Sequence, residues 1–188
     1  ASSFKTAEIG AVSVKQPTDF TGYERLKDQG RVLELICGST LGKVDVLKQG
    51  EIGNVVLDRT PFYAESGGQV GDDGVLRAGK TLFRVEDTRK IGQVFVHKGR
   101  IESGELRSGD GVTAEVSESA RRATMRNHSA THLMHKALHD VLGPHVQQKG
   151  SLVDAQRTRF DFSHFAALTP EQVAEVERRV NEQILRNE

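Results

Sequence analysis

Apolar residues recur at Ala130, Leu133, Met134, Ala137, Leu138, Val141 and Leu142, and the run stops at Gly143-Pro144. That spacing predicts a long amphipathic helix. Ser117 or Ser119 can cap its start. The chain before it has a different period. Residues 31–37, 43–47, 53–57, 74–77, 81–87, 93–97 and 111–116 read as short strands. Glycine-containing turns separate them roughly every 8–12 residues, which predicts a small barrel or sandwich. After the helix, residues 157–162 alternate as a half-buried strand, with Phe160 and Phe162 inward and Arg159 and Asp161 outward. Thr169-Pro170-Glu171-Gln172 then supplies a cap, a proline at the first helical position and a glutamine at the third. Val173, Val176, Val180 and Ile184 form the apolar stripe of that last helix.

The first thirty residues carry less signal. Residues 4–14 are compatible with a short helix or a strand, and Pro17-Thr18-Asp19 marks a break. Residues 21–29 read as a short helix ended by Gly30. The chain stops at Asn187-Glu188 without a terminating glycine or proline, which reads as an interruption rather than a natural end.

Charge and cysteine content narrow the function. The 188 residues hold 26 basic and 26 acidic side chains, so any nucleic-acid contact must rest on local patches such as Arg121, Arg122 and Arg126. Cys37 is the only cysteine, which excludes an intrachain disulfide and suits a reducing compartment. At a strand end it reads as a small buried residue. No apolar run reaches the roughly 18 residues of a membrane span, and the first residues lack a signal-peptide pattern. A cytoplasmic location is the expectation.

The predicted helix carries His128 and His132 four residues apart. Positions i and i+4 share a face, about 5–6 Å apart at Cβ, so both imidazoles can reach one metal ion. His135 and His139 continue the same stripe, opposite most of the apolar face. Two ligands do not complete a zinc site, which takes three or four. Ser129 follows His128 where a zinc protease needs its glutamate base, which disfavours that chemistry. His97, at a strand end, reads as a surface or hydrogen-bonded side chain. Residues 58–74 contain Gly67, Gly68, Gly71 and Gly74, which permit tight turns and close backbone approach to a ligand. No Lys-Ser/Thr ending follows, so this is not a phosphate-binding P-loop.

Several blocks now stand in a recognisable order. They are Phe20-Thr21-Gly22-Tyr23; Thr60-Pro61-Phe62-Tyr63-Ala64-Glu65-Ser66-Gly67-Gly68-Gln69; Val85-Glu86-Asp87-Thr88; the segment from Arg126 to Leu133; Gln148-Lys149-Gly150-Ser151; Arg159-Phe160-Asp161-Phe162-Ser163-His164; and Val180-Asn181. Over about residues 20 to 188 the chain resembles the editing region of bacterial alanyl-tRNA synthetases.

The resemblance implies an α+β fold, with a small glycine-rich antiparallel β-barrel followed by an α+β editing subdomain that has a long histidine-bearing helix and a C-terminal helix. It implies a linker over residues 1–30, the barrel over 31–116 and the first half of the editing subdomain over 117–188. The implied activity is hydrolysis of tRNA(Ala) wrongly charged with serine or glycine. His128 and His132 match the first pair of the family's zinc ligands, and the second pair, Cys-x-x-x-His, is expected beyond Glu188. Thr131 matches a threonine that recognises the serine side chain, and Gln148 matches a glutamine near the pocket. Gly67, Gly68 and Gln69 match a segment bordering the site, and Arg126 joins them as a substrate-binding residue. The implied partner is the acceptor end of tRNA(Ala). ATP and Mg²⁺ belong to an aminoacylation part outside this chain. A free-standing editing hydrolase and a non-catalytic acceptor-stem binding module are the alternatives, and the N-terminal blocks favour the synthetase.

Overall fold

Strand pairing accounts for most of the first 116 residues. The computed structural model describes residues 6–186. The order is α1 (Thr6–Gly10), β1 (Asp19–Phe20), β2 (Lys27–Cys37), β3 (Lys43–Val44), β4 (Val46–Lys48), β5 (Ile52–Leu57), β6 (Arg59–Thr60), β7 (Gly74–Ala78), β8 (Thr81–Ile91), β9 (Val94–Ser103), β10 (Glu105–Arg107) and β11 (Gly111–Val116). Then come α2 (Glu118–Leu142), β12 (Gln148–Val153), β13 (Thr158–Phe162) and α3 (Pro170–Arg186). Residues 4 and 5 of the expected N-terminal element, and the chain end at Asn187-Glu188, lie outside the described residues.

The chain divides into two units, residues 1–66 with 70–120, and residues 67–69 with 121–188. In the first, β11, β7, β8, β9, β5 and β2 pair in that order, all antiparallel, and β11 pairs back onto β2. The sheet is therefore a closed six-stranded barrel, which leaves no edge among those strands. Val32, Leu35, Val55, Leu57, Phe62, Leu76, Phe83, Val85, Ile101 and Val112 fill its interior.

The outer face of β5 and β9 is buried too. Val56, Val94 and Val96 pack under Ile9, Val12 and Val14. The covering segment is tied down by polar groups. Glu34 is fully buried and accepts hydrogen bonds from the Ser13 and Val14 amides. Lys98 and Glu8 form a buried ion pair at 3.0 Å. This double burial explains why Gly53 to Leu57 of β5 are all buried rather than alternately buried and exposed.

One expectation is overturned. Residues 21–29 are not a helix: a turn at residues 22–24 leads straight into β2, which starts at Lys27. Gly30 lies within that strand, where a Cβ would meet the Arg59 carbonyl oxygen at 2.5 Å. The glycine permits a close strand crossing and ends no helix. His97 is hydrogen-bonded, as one of the two readings had it: it is fully buried, donates from Nδ1 to the Val55 carbonyl and accepts from Thr60 Oγ1 at Nε2. Burial drives its pKa down to about 4, partly opposed by the bond to Val55. Cys37 is buried, as expected, with its thiol 3.2 Å from the Ser39 hydroxyl.

In the second unit, α2 and α3 pack through Ala137, Leu138, Val146 and Val176, with Phe160 and Phe162 of β13 against the same cluster. At the start of α3, the Gln172 amide donates to Thr169 Oγ1 and the Thr169 amide donates to Gln172 Oε1, a reciprocal cap. Only the middle of the predicted α3 stripe is covered, since Val173 and Ile184 stay half exposed.

Candidate functional site

The 25 residues of α2 contain all four stripe histidines. Its helical geometry brings His128 Nε2 and His132 Nε2 to 2.9 Å, with ring centroids 4.7 Å apart. Two nitrogens so placed converge on one point, as a shared ligand requires. His128 Nδ1 is buried and has no hydrogen-bond partner among the described residues. The pair fits half of a tetrahedral zinc set. Among the described residues, no group of three or more His, Cys, Asp or Glu side chains could hold a metal. His135 does not stay with the pair: its ring lies 5.1 Å from Phe160.

Thr131 lies between the two histidines in sequence but turns inward and is 8% exposed. Its hydroxyl donates to the Asn127 carbonyl at 2.8 Å and lies 2.5 Å from Thr158 Oγ1. Since the Thr131 proton goes to the backbone, Thr158 is the donor between the two hydroxyls, and one lone pair of Thr131 Oγ1 is left to accept a further bond. One turn earlier on the same helix face, Asn127 Nδ2 donates to the Asp154 carbonyl at 2.7 Å. Asp154 Oδ1 accepts from the amides of Gln156 and Arg157, which closes the turn between β12 and β13. Asn127 and Thr131 thus fasten α2 to the turn end of that hairpin. Gln148 stands at the other end, opposite Phe162, and is exposed.

Gly67, Gly68 and Gln69 lie along β12. The Val153 amide donates to the Gly68 carbonyl at 2.8 Å, and Gln69 bridges Val153 in parallel. Gly68 has φ +85°, and a Cβ on it would meet Ser151 Oγ at 2.3 Å. The close approach that the glycines allow is therefore to the backbone of β12. Arg126 is exposed on α2.

Sequence reasoning passed over Thr158 and the nearness of His145 to His164. The pairing of β12 with β13 leads to the facing of His145 and His164, and the approach of β13 to α2 brings Thr158 to Thr131.

A closed antiparallel barrel is joined in sequence to a histidine-bearing helix and hairpin, and comparison with known proteins gives the family. Residues 2–120 match the family model for tRNA synthetases class II (A). The chain is 58% identical over 169 residues to an alanine–tRNA ligase of Paracidovorax citrulli, covering 89% of the chain and 18% of that relative. It is 56% identical over 190 residues to that of Cupriavidus necator and 54% identical over 187 residues to that of Pseudomonas entomophila. Each of these two covers the whole chain and 21% of the relative. The chain belongs to the class II (A) tRNA synthetase family. Within it, the likeness to bacterial alanine–tRNA ligases runs through both units, and the chain spans about a fifth of those relatives.

Proposed function

We propose that this chain is the editing region of an alanine–tRNA ligase, where tRNA(Ala) bearing serine or glycine is hydrolysed. The carrying observation is the 2.9 Å convergence of His128 and His132 one residue from the buried hydroxyl of Thr131. His128 and His132 would hold Zn²⁺ together with ligands outside this chain. When bound, the ion supplies Lewis-acid polarisation of the ester or a site for the amino group or water.

The chain's own residues give the selectivity. Thr131 Oγ1, its proton committed to Asn127, offers a lone pair to the seryl hydroxyl. Alanyl and glycyl esters both lack that donor and leave the lone pair unmatched, so this contact favours the seryl ester alone. Thr158 fixes the direction of that lone pair. Arg126 offers a charged contact to an acceptor-end phosphate, a contact that positions without reading sequence. Gly67, Gly68, Gln69 and Gln148 border the pocket in this reading. Hydrolysis breaks the bond between the aminoacyl carbonyl carbon and the ribose oxygen. The water oxygen ends on the amino acid and a proton on the ribose.

ATP- and Mg²⁺-dependent aminoacylation belongs to other parts of the parent protein, and the setting is cytoplasmic. No helix among the described residues is long and apolar enough to cross a membrane. The test is deacylation of Ser-tRNA(Ala) and Ala-tRNA(Ala) by the full-length protein. Faster loss of serine, with Thr131→Val narrowing the difference, supports the reading. Equal loss of both esters contradicts it.

A further inference from the structure

The second unit holds another histidine pair, on the hairpin rather than on α2. The Ser163 amide donates to the Gln147 carbonyl at 3.0 Å, and the Gln147 amide donates to Ser163 Oγ at 3.0 Å. These bonds carry the hairpin past the ends of β12 and β13 and set His145 across from His164. His145 Nε2 lies 2.7 Å from His164 Nδ1, and the rings stack with centroids 5.0 Å apart and planes 21° apart.

We propose that His145 and His164 form a second binding site for a divalent transition-metal ion, separate in its residues from His128 and His132. Each neutral imidazole has one lone-pair nitrogen. The facing nitrogens either share one proton or both give lone pairs to one cation. Imidazole donors select Zn²⁺, Ni²⁺ or Cu²⁺ over Mg²⁺ and Ca²⁺, which take oxygen ligands.

Two further features prepare the place. Gly143 has φ +116°, and a Cβ there would lie 3.1 Å from His145 Nδ1. The glycine after α2 therefore leaves room for the His145 ring. Phe165 is 84% exposed, with its centroid 5.0 Å from His145 and 4.5 Å from His164. It gives the pair an apolar flank of the kind that limits solvent access at a metal site. With two protein ligands, water fills the remaining positions, so the ion is exchangeable and has coordination sites open to an oxygen ligand.

The test uses Ni²⁺ alone, titrated by calorimetry into the full chain carrying His128→Ala and His132→Ala. One ion per chain with Kd on the order of 10 μM is expected, and adding His164→Gln should weaken binding roughly tenfold or more. His139→Gln should leave it unchanged. Absence of saturable binding, or binding indifferent to His164→Gln, overturns the proposal. A histidine-ring NMR spectrum of the unsubstituted chain removes dependence on variant folding. Ni²⁺ should broaden the His145 and His164 signals, and a spectrum in which those two stay sharp while others broaden also overturns it.

Discussion

Thr158 Oγ1 donates to Thr131 Oγ1 across 2.5 Å, from the start of β13 to the middle of α2. The bond makes Thr158 a positioning residue. Thr158→Val should cost about 1 kcal/mol of stability, the usual net worth of one hydrogen bond. In the full-length protein it should also lower the preference for Ser-tRNA(Ala) over Ala-tRNA(Ala), while Thr158→Ser restores it. Unfolding midpoints and paired deacylation rates check this. A stability loss with selectivity intact would leave Thr158 purely structural.

His97 makes the barrel sensitive to acid. Its folded pKa, about 4, is below the unfolded value near 6.5. The unfolded chain then binds the proton more readily. The stability is fully present above pH 6.5 and is lost as pH falls toward 4. The whole window amounts to about 3 kcal/mol. Urea midpoints measured from pH 7 down to pH 4 should decline, and the decline should be shallower in His97→Gln. An equal slope in both proteins would clear His97 of this role.

Gly68→Ala should destabilise the second unit by about 1–3 kcal/mol, because it adds left-handed strain to a collision with Ser151. Gly67→Ala, at φ +58° with open space around it, should cost about 1 kcal/mol from backbone alone. Hydrogen exchange separates them: the Val153 amide, bonded to the Gly68 carbonyl, should lose protection in Gly68→Ala and keep most of it in Gly67→Ala. Equal loss in both would remove Ser151 from the explanation.

Arg126→Ala in the full-length protein should weaken tRNA(Ala) binding and reduce the slope of log affinity against log salt by about 1, as expected for one phosphate contact. Fluorescence anisotropy across a salt series reads both. An unchanged slope would place Arg126 away from the phosphates.

Local signals carried much of this fold into the sequence. The reciprocal Thr169–Gln172 cap, the Gly143-Pro144 stop and the glycine-spaced strands are decided by neighbours in the chain, and each is found in the structure. What escaped depends on distant partners. Gly30 resembled a helix terminator because its reason, the Arg59 carbonyl, is 29 positions away. Of the two readings open for His97, surface or hydrogen-bonded, the second holds because Val55 and Thr60 satisfy both of its nitrogens from other strands. β12 hid because a bulge between Gln148 and Gly150 breaks its alternation. At the candidate site, helical spacing alone announced the convergence of His128 and His132. The hold of Thr158 on Thr131 needed the packing of β13 on α2, 27 positions apart in sequence.

In the proposed function, His128 and His132 are half of a metal site required for editing. That role is tested most directly by measuring bound zinc, Ser-tRNA(Ala) deacylation and alanylation together in the full-length protein and its His128→Ala/His132→Ala variant. The variant should lose zinc and serine deacylation and keep alanylation. Serine deacylation that persists after both histidines are removed would contradict it.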